Sequence, residues 1–157
     1  MPFFVQIESN KNIQGDATNA NFEGQIVGET YLATAGRGVK IMAEQRQGLG
    51  VVQHQPISFS KRVDCSSPLL WECLCSPNRE SQTFKTVTFS FTDSGGTNLE
   101  YTVALGNARI VQMTMQYEQS GGANTLPTEM VSLAYESIYF KHEPSGEERR
   151  HAIGGAK

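Results

Sequence analysis

The sequence is poor in the residues that most small-protein chemistry relies on. It has three cysteines, Cys65, Cys73 and Cys75, spaced C-x7-C-x-C. That spacing lacks the paired short knuckles of a zinc site, and no histidine stands close by, so no metal site is expected. The odd count argues against a disulfide framework, and all three are expected as reduced thiols packed like small hydrophobes. The histidines are also three, His54, His142 and His151. With Asp64 and one of several serines they make a hydrolase set only on paper, because no nucleophile elbow accompanies them. Gly36-x-Gly38 has no following helix and no further glycine, and no G-x-x-x-x-G-K-[ST] occurs, so nothing reads as a phosphate cradle. No catalytic residue and no cofactor is expected.

Positive charge is scarce as well. The chain carries 13 Lys and Arg against 16 Asp and Glu, a formal charge of -3. Nothing there would neutralise a phosphate backbone, which argues against nucleic acid as a partner. The one basic cluster, Arg149-Arg150-His151, is cancelled by Glu147 and Glu148. No apolar run is long enough to span a bilayer, so membrane insertion is not expected. The first residues, Met-Pro-Phe-Phe-Val-Gln-Ile-Glu, lack a basic region and a long apolar stretch and do not read as a cleaved signal peptide.

What the chain has is period-two alternation. At 157 residues it is long enough for one domain with its own core. Val87, Phe89 and Phe91 alternate with Thr86, Thr88 and Ser90. Leu99, Tyr101, Val103 and Leu105 alternate with Glu100, Thr102 and Ala104. Similar patterns run through residues 25–34, 57–60, 111–117 and 131–135, and residues 3–8 are a short strand-like stretch, apolar at Phe3, Phe4, Val5 and Ile7. Half-buried antiparallel strands read this way, one face inward and one face solvated. Asp93-Ser-Gly-Gly-Thr-Asn98 reads as a hairpin loop, and Gly106-Asn107 as a tight turn or bulge. Seven or so short strands suggest a sandwich or a barrel.

One segment breaks the alternation. Ser67 is placed to cap a helix, Pro68 suits its first turn, and Pro77 stops it. Leu70 and Leu74 lie at i,i+4, so Leu70, Trp71 and Leu74 are expected to anchor this helix on the sheet or over the open end of a barrel. A second unusual segment, Ala35 to Gln53, spreads Arg37, Lys40, Glu44 and Arg46 among four glycines. It is too long for a hairpin loop and reads as an arm. The fold expected is mainly β: an antiparallel β-barrel with one short α-helix and an extended Gly-rich loop.

Four stretches resemble one known family. A first strand leads into Ile13-Gln-Gly-Asp-Ala-Thr18. Ile57-Ser-Phe-Ser-Lys61 leads through Asp64 to Ser67-Pro-Leu-Leu70. Leu99-Glu-Tyr-Thr-Val-Ala-Leu105 precedes Ala108-Arg-Ile-Val111, similar to a family hairpin. Glu129-Met-Val-Ser-Leu-Ala-Tyr135 is followed by Ile138. In this order they resemble the Hcp proteins, the haemolysin-coregulated proteins that form the inner tube of type VI secretion systems. The last stretch is the most specific. Family members often have Trp in the last strand where this chain has Tyr139-Phe140, and the arm differs from typical forms.

The resemblance covers residues 1–142 as a barrel domain and leaves 143–157 as a polar, flexible tail. It implies a homohexameric ring, rings stacked into a tube, effector proteins in the lumen, and spike and sheath components as further partners. It also implies a cytoplasmic protein that the type VI apparatus later secretes. Arg37, Lys40, Glu44 and Arg46 are the expected ring-stacking residues. Two other readings compete: a small-molecule-binding barrel of lipocalin type, and a phage tail-tube protein of the same architecture.

Overall fold

The computed structural model describes residues 3–41, 47–117 and 127–153. Ten strands and two helices follow one another in the order β1 (Phe3–Glu8), β2 (Ile26–Leu32), β3 (Ala35–Ile41), β4 (Gln47–His54), β5 (Ile57–Arg62), α1 (Ser67–Cys75), α2 (Arg79–Gln82), β6 (Thr83–Thr92), β7 (Leu99–Gln116), β8 (Thr128–Ala134), β9 (Ser137–His142) and β10 (Glu147–Ala152). Eight of the strands form one sheet ordered β10-β9-β7-β6-β1-β2-β5-β8, and β8 pairs back onto β7. That last pairing closes β7, β6, β1, β2, β5 and β8 into a six-stranded antiparallel barrel. Beyond it, β9 and β10 form a flange on the first half of β7.

Alternation decides what fills the barrel. Phe3, Val5 and Ile7 of β1 face inward with Val87 and Phe89 of β6, Val103 and Leu105 of β7, Ile57 and Phe59 of β5, and Val131 and Leu133 of β8. All of these are buried. The interior is therefore packed with side chains, where a lipocalin-type barrel would keep a cavity. The outward-facing Phe4 is buried too, because the segment between β1 and β2 folds over it. Phe22 stacks on Phe4 at 4.4 Å with the rings 6° from parallel, and Ala17 completes the small cluster. This accounts for the Ile13–Thr18 stretch. Gly15 passes so close to β2 that a Cβ there would lie 2.5 Å from the Ile26 Cα, and Ala17 N–H donates to the Gln25 carbonyl at 3.0 Å.

Several expectations change in detail. Ser67 is the first residue of α1 and not its cap; the cap position belongs to Ser66, which makes no side-chain capping bond, and Pro68 sits in the first turn. The hairpin expected over residues 99–111 is a single strand of 18 residues. Asn107 takes a left-handed φ of 48° without breaking it, so the strand runs on past Gly106. The Gly-rich arm is a hairpin of β3 and β4 where it is described. The tail expected from residue 143 contains β10, all six residues exposed, paired with β9 across a turn where Gly146 takes φ 77°. Six backbone pairs to β9 make this stretch a strand and not a loose extension. Only Cys73 is buried; Cys65 and Cys75 are exposed, against the expectation of three packed thiols, because Cys65 precedes the helix and Cys75 ends it.

Candidate functional site

No group of acidic, histidine or cysteine side chains among the described residues could hold a metal ion. Each histidine makes a local contact: His142 Nδ1 lies 2.8 Å from Ser145 Oγ across the β9–β10 turn, His54 lies 3.5 Å from the Tyr135 hydroxyl, and the His151 ring is 6.3 Å from Phe140. The features that distinguish this molecule are a sheet face, two strand edges and a buried charged node.

The face belongs to β2, β5, β8 and the second half of β7. Cross-strand register sets Thr30, Ser60, Met130 and Thr114 in one outward row. Leu32, Ser58, Ser132 and Gln112 make the next row. Neither row contains a charge. Thr30 Oγ1 lies 2.6 Å from Ser60 Oγ, and Ser58 Oγ lies 2.8 Å from Ser132 Oγ, so the hydroxyls are paired with each other. Met130 is 47% exposed and Leu32 66%. At the border, the Arg62 guanidinium donates to Glu29 at 3.2 Å.

This four-stranded stretch ends in two open edges. β1 pairs with β2 only up to Gly28, so among the described residues Glu29 to Leu32 have no strand beside them away from β5. β6 pairs with β7 only up to Arg109, so residues 110–116 have β8 on one side and, among the described residues, no strand on the other. The β7 edge carries exposed Val111 and Met115. Such edges are the sites where strands of another copy add, unless something blocks them.

The node lies inside the barrel at the end that α1 covers. Lys61 continues the inward phase of Ile57 and Phe59, Glu129 continues that of Val131 and Leu133, and the two are direct cross-strand partners. Both are fully buried. Lys61 Nζ donates to Glu129 Oε1 at 2.7 Å, to Asp64 Oδ1 at 3.0 Å and to Ser67 Oγ at 2.9 Å. Glu129 also accepts from Ser67 Oγ at 2.7 Å and from Trp71 Nε1 at 2.9 Å. Burial pushes the Glu129 carboxyl up, but the hydrogen bonds from Lys61, Ser67 and Trp71 outweigh it and hold the group below its usual value. α1 is thus tied to β5 and β8 by charge-assisted hydrogen bonds joining Ser67 and Trp71 to a buried ion pair shielded from water, where an unpaired member would cost most.

The expected site residues are distributed as follows. Leu70 is buried in the core, and Trp71 and Leu74 are half-buried against it, with the Trp71 indole N–H held by Glu129. Arg37 lies exposed on β3, and Lys40 lies further along the same strand. Glu44 and Arg46 lie outside the described residues. Among the described residues β3 and β4 pair only with each other. Lys61, Asp64 and Glu129 carried no site expectation, although the strand phase of Lys61 and Glu129 was readable.

A family model described as type VI secretion system effector, Hcp, matches residues 4–142. The chain belongs to the Hcp family. It is accordingly a tube protein of type VI secretion, a structural component and not an enzyme. Solved structures share its fold. Hcp1 from the E. coli EAEC 042 pathovar, a mutant form, is 20% identical with a TM-score of 0.77, over 97% of this chain and 99% of that one. The secreted protein Hcp3 from Pseudomonas aeruginosa is 20% identical with a TM-score of 0.67, over 98% and 99%. The tube-terminating cap of the anti-feeding prophage is 14% identical with a TM-score of 0.58, over 89% and 87%. No curated protein matches the chain in sequence.

Proposed function

We propose that six copies close into a ring through the two open edges, the Glu29–Leu32 edge of one copy beside the 110–116 edge of the next. The single observation that carries this reading is their placement at opposite ends of one four-stranded stretch. Edge-to-edge addition of unlike edges is heterologous, and it terminates only when the rotation closes. The copy number of six comes from the family. In a closed ring the inside has less room than the outside. The bulk of each barrel therefore turns outward, and the uncharged face of β2, β5, β8 and β7 lines the lumen.

Rings stack through the β3–β4 arm. Among the described residues the strands of this hairpin pair only with each other, a two-stranded hairpin alone is marginal in water, and a neighbouring ring supplies further surface. Arg37 and Lys40 lie along it to meet charges of that ring. The resulting tube carries effector proteins in its lumen. It joins a spike at its tip, lies within a sheath, and leaves the cytoplasm through the type VI apparatus.

Amine cross-linking of the purified protein, resolved under denaturing conditions, tests the ring. A ladder that stops at six subunits supports it. A ladder that stops at two, or no ladder at micromolar protein, overturns it.

A further inference from the structure

We infer that the lumen wall selects its cargo by lack of charge: it takes uncharged, extended polypeptide segments whose apolar side chains settle on Met130 and Leu32. The inference rests on the ring reading above, because it needs this face turned to the lumen.

The chemistry of the wall carries it. Two adjacent rows of the face contain hydroxyl, amide and apolar side chains and no ionisable group. The hydroxyls of Thr30, Ser60, Ser58 and Ser132 already satisfy one another, so the wall makes few polar demands on what touches it. At one border Glu29 and Arg62 are paired and cancel; at the other, Arg109 stands one outward position beyond the Gln112–Ser132 pair, outside the two rows. A charged side chain pressed against such a wall sheds water and finds no counter-ion, which is unfavourable for either sign. The contrast with β10 is direct: there Glu147, Glu148, Arg149 and Arg150 stand exposed in sequence.

Attraction comes from the exposed apolar groups. Met130 stands in the middle of its row, and its flexible, polarisable thioether adapts to differently shaped partners. Leu32 stands in the next row at the β2 edge. Each contact alone is weak. In a ring the pair repeats once per subunit around the wall, and a chain segment that touches several at once is held by their combined effect. The wall thus retains cargo without recognising a particular sequence, and releases it when the ring opens.

The test uses a capped, dansyl-labelled peptide of Leu, Ser and Gly, with versions in which some Ser is replaced by Glu or by Lys. Binding to the intact protein is read by fluorescence anisotropy, and the mass of the assembly by light scattering in the same buffer. The neutral peptide should bind at least about tenfold more tightly than either charged version. Met130→Asp should weaken the neutral peptide by about tenfold while the assembly mass stays unchanged. Met130→Ser keeps the wall neutral, so it retains the ring even if Met130→Asp does not, and it should lose the same grip. Rings of unchanged mass that bind the charged peptides equally well overturn the inference and leave the ring reading standing. The same holds for rings that do not bind the neutral peptide, or that bind it unaltered after Met130→Ser. A monomer by light scattering overturns the ring reading, and the wall with it.

Discussion

Replacing Glu129 with Ala strips the node that fastens α1 to the barrel. The side chain is 1% exposed and accepts from three donors: Lys61 Nζ and Ser67 Oγ at 2.7 Å, and Trp71 Nε1 at 2.9 Å. Removing one partner of a buried ion pair costs about 3–5 kcal/mol, because the other charge stays behind without its partner. Here Lys61 keeps the Asp64 carboxylate at 3.0 Å, which lowers the cost. The indole N–H is left without its acceptor, which adds about 1 kcal/mol. The expected loss is about 3–4 kcal/mol, a large share of the roughly 5–15 kcal/mol by which domains are stable. Lys61→Met/Glu129→Leu removes both charges together and should cost less than Glu129→Ala alone. Urea unfolding followed by the fluorescence of Trp71, the single tryptophan, measures both. All variants are compared at one protein concentration, since assembly adds stability by mass action. A loss below about 1 kcal/mol for Glu129→Ala would refute the reasoning, as would a double variant equal to the sum of its singles.

Three further outcomes are expected. Because the Glu129 carboxyl titrates below its ordinary value of 4.5, its contribution is complete above that pH and is lost as the pH falls further. The urea midpoint should therefore fall with acid below about pH 4.5 in the native protein, and this part of the fall should vanish in Lys61→Met/Glu129→Leu. A thiol reagent at neutral pH should find Cys75 first. Cys65 should follow more slowly, because the hydrogen bond its Sγ makes to Asp16 holds its thiol above the ordinary value; Cys73, raised by burial, should react only on unfolding. An order with Cys73 first would contradict the packing of α1. Deleting Arg37 to Gly48 should leave single rings and abolish tubes, as seen by negative-stain imaging; normal tubes after the deletion would remove the arm from stacking.

The strands were legible because period-two alternation is local. Phe3–Glu8 and Ile57–Arg62 were readable as strands, although Phe4 and Ser60, at outward positions, are buried as well. A barrel was expected, but which strands close it was not legible, since that depends on β8 pairing with the far half of β7. Gly106-Asn107 misled for a related reason. Local preference marks a turn there, but pairing to β6 on one side and β9 on the other holds the strand through it. The node had a signal that simple patterning overlooks. Lys61 and Glu129 each sit in the core phase of an apolar strand, and two opposite charges in that phase announce a buried pair. The uncharged face could be read as polar positions within single strands. Its rows could not, because register between β2, β5, β8 and β7 is set by long-range pairing. The open edges are likewise defined by where β1 and β6 stop pairing, which no single segment encodes.

The ring is tested most directly by light scattering of the purified chain as it elutes from a sizing column. A ring of six has a mass of about six times the 17.3 kDa of one chain, and it should hold on dilution to micromolar protein, as an interface on the order of 2,000 Å² does. A single species of 17.3 kDa under those conditions would contradict it.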